Sequence, residues 1–374
     1  MMNKGKVLIT GGAGFIGSHT ADELFKKGYK ITILDNLSPK THFGKWPIYL
    51  NPKFEKIKGD VRNKVTLLQA LKDVDYVIHL AAQMDLMPDY STFFDVNVTS
   101  TALLYELIAN KKLPVKKVIV ASSQFVYGEG KWECQTDGEV YPKMRILSQL
   151  EKGIWNPVCP LCQGKITPLL LKEDHQDPPN QYAISKYTQE LLALKLGRLN
   201  NIPSVAMRYS IVHGSRQSLK NAYSGALRIF TLKMLKGEPP TIYEDGMSLR
   251  DYVSAYDVAR ANALVLESDK AGFENFNVGG GKAYTVLNLA KLIAKILGVS
   301  VQFKPNGQFR LGDIRHAVSD ITKLKRVGWT PIDKEVDVIK DYISWVRQQK
   351  LDRDYLSIAQ NQMKKSGVLR QVDN

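Results

Sequence analysis

An apolar run, Lys6-Val7-Leu8-Ile9-Thr10, leads directly into Gly11-Gly12-Ala13-Gly14-Phe15-Ile16-Gly17, and an amphipathic stretch follows to residue 27. Few folds accept that succession. A buried strand that ends in clustered glycines and turns at once into a helix opens a βαβ unit. Gly11 allows the tight turn, Gly14 lets a ligand approach the backbone at the helix start, and Gly17 permits close packing of helix on sheet. The exposed N–H groups of a helix start attract anions, so the pattern anticipates a diphosphate. A glycine pattern alone is weak evidence. It gains weight from Asp35, which closes the next apolar run at 30–35.

The same alternation continues. Strands are expected at 6–10, 30–35, 54–59, 76–81 and 117–122, with helices at 15–27, 64–72 and 94–111. Strands this uniformly apolar suit a parallel sheet covered on both faces, which makes the fold class α/β, a Rossmann doubly wound parallel sheet. A long helix follows Tyr182 to about residue 199, and 203–208 reads as a further strand. Beyond Ser210 the pattern is mixed and shorter. Residues 255–266 as a helix and 273–278 as a strand are expected to return to the main sheet. The division is therefore a dinucleotide-binding domain at 1–209, completed by about 255–280, and a smaller C-terminal α/β substrate domain at 210–374. The last 25 residues are expected to be polar and helical or frayed.

At the end of the second strand, the Asp35 carboxylate can accept from both ribose hydroxyls of NAD and would repel the 2′-phosphate of NADP. The candidate cofactor-binding residues are Gly11, Gly14, Phe15, Ile16 and Gly17 in the turn, Asp35 with Asn36, Asp60 with Val61, and Ala81 with Ala82. Asp60 could meet the adenine amino group or cap the following helix. His79 reads as a packed strand residue.

Composition excludes several classes. The formal net charge is +15, but the lysines are scattered and form no long basic stripe with interleaved aromatics, so no nucleic-acid partner is expected. The chain is 44% hydrophobic and 24% charged, and no apolar run reaches the ~18 residues of a membrane span. Val7-Leu8-Ile9 is too short for a signal peptide and leads into a glycine turn. No membrane partner and a cytoplasmic location are expected.

The chemistry concentrates between Ser122 and Lys186. Tyr182 and Lys186 stand four apart on a helix, so they share a face roughly 6 Å apart. A tyrosine acting as a base at neutral pH needs its pKa lowered by roughly 3 units, about 4 kcal/mol. The Lys186 ammonium and a positively charged nicotinamide can supply that. Lys186 can also hold the cofactor ribose, so Tyr182 and Lys186 count among the cofactor contacts too. Ser123 ends the fifth strand, where its hydroxyl can reach the same substrate oxygen as Tyr182. Ser123, Tyr182 and Lys186 are the candidate catalytic residues.

With Gly11–Gly17, Asp60, His79–Ala82, Ser122–Gly128 and Tyr182–Lys186 in this order, the chain resembles the extended short-chain dehydrogenase/reductase family, in its NAD-dependent nucleotide-sugar epimerase/dehydratase branch. Arg208–Gly214, Arg250–Val253, Asn277–Gly279 and Arg310–Asp313 extend the resemblance over nearly the whole chain. It implies tightly held NAD, a nucleoside-diphosphate sugar, and a homodimer packed through helices near 95–111 and 183–199. It also implies that Arg250 and Arg310 clamp the diphosphate and that Asp313 meets the nucleoside ribose; guanidinium geometry suits phosphate. Gln83, Gln217 and Asn221 are the other candidate substrate-binding residues. In one departure, Ile211 stands where the family often places a substrate-binding asparagine.

Dehydratases of this family carry an Asp-Glu pair where Gln124-Phe125 stands here, and neither residue can do acid–base work. Dehydration is thereby disfavoured, and epimerisation at C4 remains. Tyr182 as phenolate takes the C4 hydroxyl proton while hydride passes to NAD; the 4-keto sugar turns, and hydride returns to the other face. The segments 34–39, 46–47 and 217–225 are similar to dTDP-L-rhamnose 4-epimerase-like proteins, which implies dTDP-L-rhamnose and dTDP-6-deoxy-L-talose. The alternatives are a UDP-sugar 4-epimerase, a nucleotide-sugar 4-ketoreductase or dehydrogenase with net redox, and a non-catalytic NAD-binding scaffold.

An insertion at 130–172 contains all three cysteines, Cys134, Cys159 and Cys162. Cys159-Pro160-Leu161-Cys162 has the spacing of a zinc-knuckle half, and Cys134 with Asp137 resembles the other half. His175 is a rival fourth ligand. Free packed thiols and a redox pair are the competing readings; a reducing cytosol argues against a disulfide.

Overall fold

A computed structural model describes residues 4–42, 44–85, 87–219, 225–349 and 354–372. The strands are, in chain order, β1 (Lys6–Thr10), β2 (Lys30–Asp35), β3 (Glu55–Lys58), β4 (Tyr76–His79), β5 (Lys117–Ser123), β6 (Trp132–Cys134), β7 (Gly138–Val140), β8 (Ile166–Pro168), β9 (Ser204–Tyr209), β10 (Ile211–His213), β11 (Leu249–Ser254), β12 (Glu274–Val278), β13 (Ala283–Thr285), β14 (Gln308–Arg310) and β15 (Leu369–Gln371). Seven of them make one sheet in the order β12-β9-β5-β4-β1-β2-β3, every pair parallel. Chain order reverses at β1, which opens a crevice at the carboxyl ends of β1 and β4. Thr10 of β1 lies level with Leu34 of β2 and His79 of β4, so those ends share one rim.

Side-chain alternation splits the core. Val7 and Ile9 face one side of the sheet, and Leu8 faces the other. The first side packs helices Phe15–Lys26 and Ala255–Glu267; the second packs Lys64–Ala70, Ser100–Asn110 and Gln181–Leu199. Every residue of β5 and β9 is buried, which fits the apolar stretches Val118–Ala121 and Val205–Met207 at their centres. The edge strand β3 exposes Glu55 and Lys58, charges that discourage further pairing.

Several boundaries differ from the sequence expectation. The fourth strand stops at His79, and the Leu80–Ala81 backbone beyond it passes against Gly11 of the glycine turn. The helix expected at 94–111 opens with a π-helical turn, Phe94–Thr99, before Ser100–Asn110. The last residues include the expected helix, Tyr355–Lys365, and beyond it β15, which was not expected; it pairs antiparallel with β14 and sets Leu369 opposite Arg310. A three-residue strand has no periodicity to read, and only its partner defines it.

A third apolar cluster joins helices Ala226–Leu235, Val286–Leu297 and Glu335–Arg347 in the C-terminal part. The insertion forms its own antiparallel sheet, β7-β6-β8, around Trp132, Cys134, Val140, Cys159 and Ile166. No helix among the described residues is long and apolar enough to cross a membrane.

Candidate active site

The glycine turn sits at the crevice. Gly11 has φ +65°, and a Cβ there would lie 2.8 Å from the Ala81 amide nitrogen. A Cβ on Gly17 would collide with the Gly11 carbonyl oxygen, so helix Phe15–Lys26 can lie this close to the turn only with glycine. Gly14 is the N-cap of that helix, with no side-chain cap and no acidic residue in the first turn. Its leading amides are thus open to an anion, which fits the diphosphate of NAD. Phe15 and Ile16 form that first turn.

Asp35, at the end of β2, is buried and takes the amides of Ala13 at 3.1 Å and Leu37 at 2.9 Å. One carboxylate thereby ties the glycine turn to the β2 end. Burial raises its pKa, against the pull of those amides. Asp60 accepts from Arg62 Nε at 2.9 Å and Nη2 at 2.8 Å, and lies 3.5 Å from Asn36 Nδ2. The Arg62 bonds hold its pKa below the usual range. Asp60 does not cap the next helix; Asn63 does, accepting from the Thr66 amide. Val61 is buried, Ala81 donates its amide to Thr10 Oγ1 at 3.2 Å, and Ala82 is exposed. His79 is fully buried between Thr10 Oγ1 at 2.7 Å and Ser100 Oγ at 3.0 Å, its pKa pushed down by burial to about 3.

Ser123 ends β5 and Tyr182 opens helix Gln181–Leu199, capped by Asn180. Burial raises the Tyr182 pKa and the nearby Ser123 hydroxyl lowers it; the net direction is upward. Lys186 Nζ donates to Gln189 Oε1 at 2.6 Å, and burial depresses its pKa to about 7, so desolvation weakens the cation meant to lower Tyr182. Phe125 stands edge-on to Tyr182 at 6.3 Å. Gln124 is 1% exposed, and neither polar atom of its side chain has a partner among the described residues. Asn97, in the π-helical turn, holds the backbone of Gln83 and donates to Ser185 Oγ at 2.8 Å. Gln83 itself donates to Asp85 Oδ2 at 3.1 Å.

The candidate nucleotide-end residues converge. Arg310 Nη2 donates to Asp313 Oδ2 at 2.7 Å, and Arg250 Nη2 lies 3.5 Å from Asp313 Oδ1. Arg250 also donates to the carbonyls of Ile314 and Arg315, each at 2.9 Å. Arg310, Arg250 and Arg145 together hold the Asp313 pKa down. Gln217 is buried with its Oε1 unpartnered among the described residues. Asn221 lies outside the described residues. Ile211 is in β10, packed on the C-terminal cluster.

Sequence reasoning missed a buried ionic lattice behind this end: Glu129, Arg145, Glu244 and Arg315, all under 8% exposed. It also missed Glu190, whose carboxylate holds Arg208 at 2.6 and 3.0 Å and Ser122 at 2.9 Å. Scattered charges carry no sequence signal of burial.

In the insertion, Cys134, Asp137, Cys159 and Cys162 bring their ligand atoms within 4.8 Å of one another. Cys134 and Cys162 are 3.5 Å apart as free thiols, and Cys159 Sγ lies 3.1 Å from Asp137 Oδ2. The arrangement can hold a tetrahedral soft metal. His175 instead packs against Tyr141, the tilted rings 4.0 Å apart between centroids, outside the cluster.

A model of the NAD dependent epimerase/dehydratase family matches residues 7–145 and 163–279. Residues 146–162, which it passes over, lie in the insertion and include Cys159 and Cys162. A dTDP-L-rhamnose 4-epimerase of Burkholderia thailandensis is 32% identical over 93% of this chain and 96% of its own. The solved UDP-N-acetylglucosamine 4-epimerase from Methanobrevibacter ruminantium M1, in complex with UDP-N-acetylmuramic acid, is 30% identical with TM-score 0.74, over 93% of this chain and all of that one. The UDP-glucuronic acid 4-epimerase from Bacillus cereus, in complex with UDP-glucuronic acid and NAD, is 26% identical with TM-score 0.74, over 92% and 99%.

Proposed function

The chain belongs to the NAD dependent epimerase/dehydratase family, and we propose from that premise that it inverts the C4 centre of a nucleoside-diphosphate sugar through a transient 4-keto sugar. It is an isomerase. The open helix start at Gly14 and the Asp35 anchor suit NAD, with Asn36, Asp60, Val61, Ala81 and Ala82 along the rest of the cofactor. When bound, NAD supplies a reversible hydride acceptor. The protein's own part is proton control and positioning. Ser123 and Tyr182 address the C4 oxygen, Tyr182 removes and returns its proton, and Lys186 supplies the local positive charge and holds the ribose. Arg250 and Arg310 face the diphosphate and Asp313 the nucleoside ribose, with Gln83, Gln217 and Asn221 along the substrate.

The observation that carries the reading is at Gln124-Phe125. A buried amide and a ring edge-on to Tyr182 occupy the places where dehydration needs an acid and a base. The substrate we favour is the dTDP-L-rhamnose/dTDP-6-deoxy-L-talose pair, supported by the Burkholderia relative, in a supply route to polysaccharide. A UDP-sugar is the second reading, favoured by the two solved UDP-sugar 4-epimerases of the same fold. Incubation with dTDP- and UDP-sugars, followed by proton NMR at C4, tests both; no inversion of any of them refutes the proposal.

We also propose zinc at Cys134, Asp137, Cys159 and Cys162, supported by the clustering of their ligand atoms. The domain division at 209/210, with 255–280 completing the first domain, and a cytoplasmic location belong to the same proposal. So does a homodimer, supported by the exposed Ile184, Leu191 and Leu199 on helix Gln181–Leu199.

A further inference from the structure

We propose that the metal-closed cysteine knuckle positions the segment 310–316, so that affinity for the nucleoside diphosphate depends on the metal. The inference rests on the nucleotide-sugar reading above and goes beyond it in giving the insertion a task.

The segment has no sheet or helix of its own beyond Arg310, yet it carries Arg310 and Asp313. Side chains hold its backbone. Arg145 donates to the Asp313 carbonyl at 2.9 Å, Arg250 to the Ile314 and Arg315 carbonyls, and the Arg315 amide donates to Glu129 Oε2 at 2.9 Å. Two of these supports lead into the insertion. Arg145 belongs to it, and its guanidinium is fixed by Glu129 at 3.0 Å, Glu244 at 2.9 Å and the Trp155 carbonyl at 3.0 Å. Glu129 in turn offers its carbonyl to Trp132 Nε1 at 2.8 Å. The Trp132 ring, 1% exposed, stands edge-on to His316 at 5.2 Å. Arg315 also reaches Asn156 Oδ1 of the insertion at 2.8 Å.

Trp132 stands on the strand that ends at Cys134. The small core beneath it is Trp132, Cys134, Val140, Cys159 and Ile166. Five core residues supply modest apolar burial, and a metal held by the four clustered ligands would add closure to the sheet. The Cys134–Asp137–Cys159–Cys162 cluster ties the β6 end, the β6–β7 turn and the following loop together. Without metal the sheet loosens, and Trp132, Glu129 and Arg145 lose the frame that aligns them with residues 313–316. Asp35 and the glycine turn are held by the amides of Ala13 and Leu37, with no insertion residue in those bonds, so NAD binding should not feel the change.

The test uses the full-length holoenzyme. Zinc is measured by mass spectrometry, and dissociation constants for UDP and dTDP are measured by calorimetry in three states: as purified, after chelation, and after zinc is restored. Cys162→Ser, at an exposed ligand, is the variant arm; NAD content reports whether each sample remains folded. The expected result is nucleotide binding weaker by at least about tenfold on metal loss, the effect of one misaligned charge-assisted contact. NAD content stays unchanged, and zinc restores the affinity of the chelated protein. Unchanged nucleotide affinity in folded, zinc-free protein overturns the inference, as does protein purified without zinc. Should Cys162→Ser lose its NAD, the chelation and restoration arms decide alone. Zinc-loaded protein that binds neither nucleotide overturns the nucleotide-sugar reading and the inference together.

Discussion

Lys186→Met should make the cofactor-free protein more stable while removing its activity. Lys186 is 1% exposed, and burial moves its pKa from 10.5 to about 7. At about 1.4 kcal/mol per unit, the folded state carries a penalty of about 5 kcal/mol whenever the ammonium is protonated. Methionine keeps most of the apolar stem and removes the charge. It also forfeits the 2.6 Å bond to Gln189 Oε1, leaving a buried acceptor unpaired at a cost of about 1–3 kcal/mol. The net is a gain of about 2–4 kcal/mol at pH 6 by this arithmetic. Its pH dependence has a definite sign. Between about 7 and 10.5 the unfolded chain binds the proton and the folded chain does not, so wild-type stability rises with pH. The penalty is full below the folded pKa and gone above the unfolded one. The variant's advantage should therefore be largest at pH 6, shrink as pH rises, and give way above pH 10.5 to a deficit of about 1–3 kcal/mol, where only the lost Gln189 bond remains. Urea unfolding of both proteins at three pH values within that range measures it. A variant less stable than wild type at pH 6, or a gap that ignores pH, refutes the reasoning.

Tyr182→Phe should lower the epimerisation rate by about 10²–10⁴-fold with NAD content unchanged, and activity within a few-fold of wild type would remove Tyr182 from the proton path. Asp35→Ala releases the amides of Ala13 and Leu37 and should strip NAD from the purified protein, read as nucleotide released on denaturation; full NAD retention counts against the Asp35 anchor. Glu190→Leu removes the carboxylate paired with the buried Arg208 guanidinium, which keeps its bonds to Tyr127 and the Glu173 carbonyl, and should cost about 3–5 kcal/mol in a chemical melt. A loss below about 1 kcal/mol would mean that Arg208 finds another partner.

The sheet was legible because its strands are buried on both faces, so β1 and β5 carry apolar runs that lead to the glycine turn and to Ser123. The cysteine cluster was legible from spacing alone, since a C-x2-C turn constrains its own geometry. What stayed hidden depends on partners distant in sequence. Arg145 meets Asp313 across 168 positions, and no local pattern marks either as half of a contact. The β15 strand exists only because β14 is beside it. The depth of Lys186 also stayed hidden, because residue type supplies its charge but not the burial that depresses its pKa.

The most direct test of the central claim is the product formed from dTDP-L-rhamnose, and in parallel from UDP-sugars, by protein carrying its own NAD. Product is analysed by mass spectrometry and by the proton coupling at C4. The account predicts unchanged mass, inverted configuration at C4 and no net formation of NADH. A product lighter by one water, or one formed with stoichiometric change in NAD(H), would contradict it.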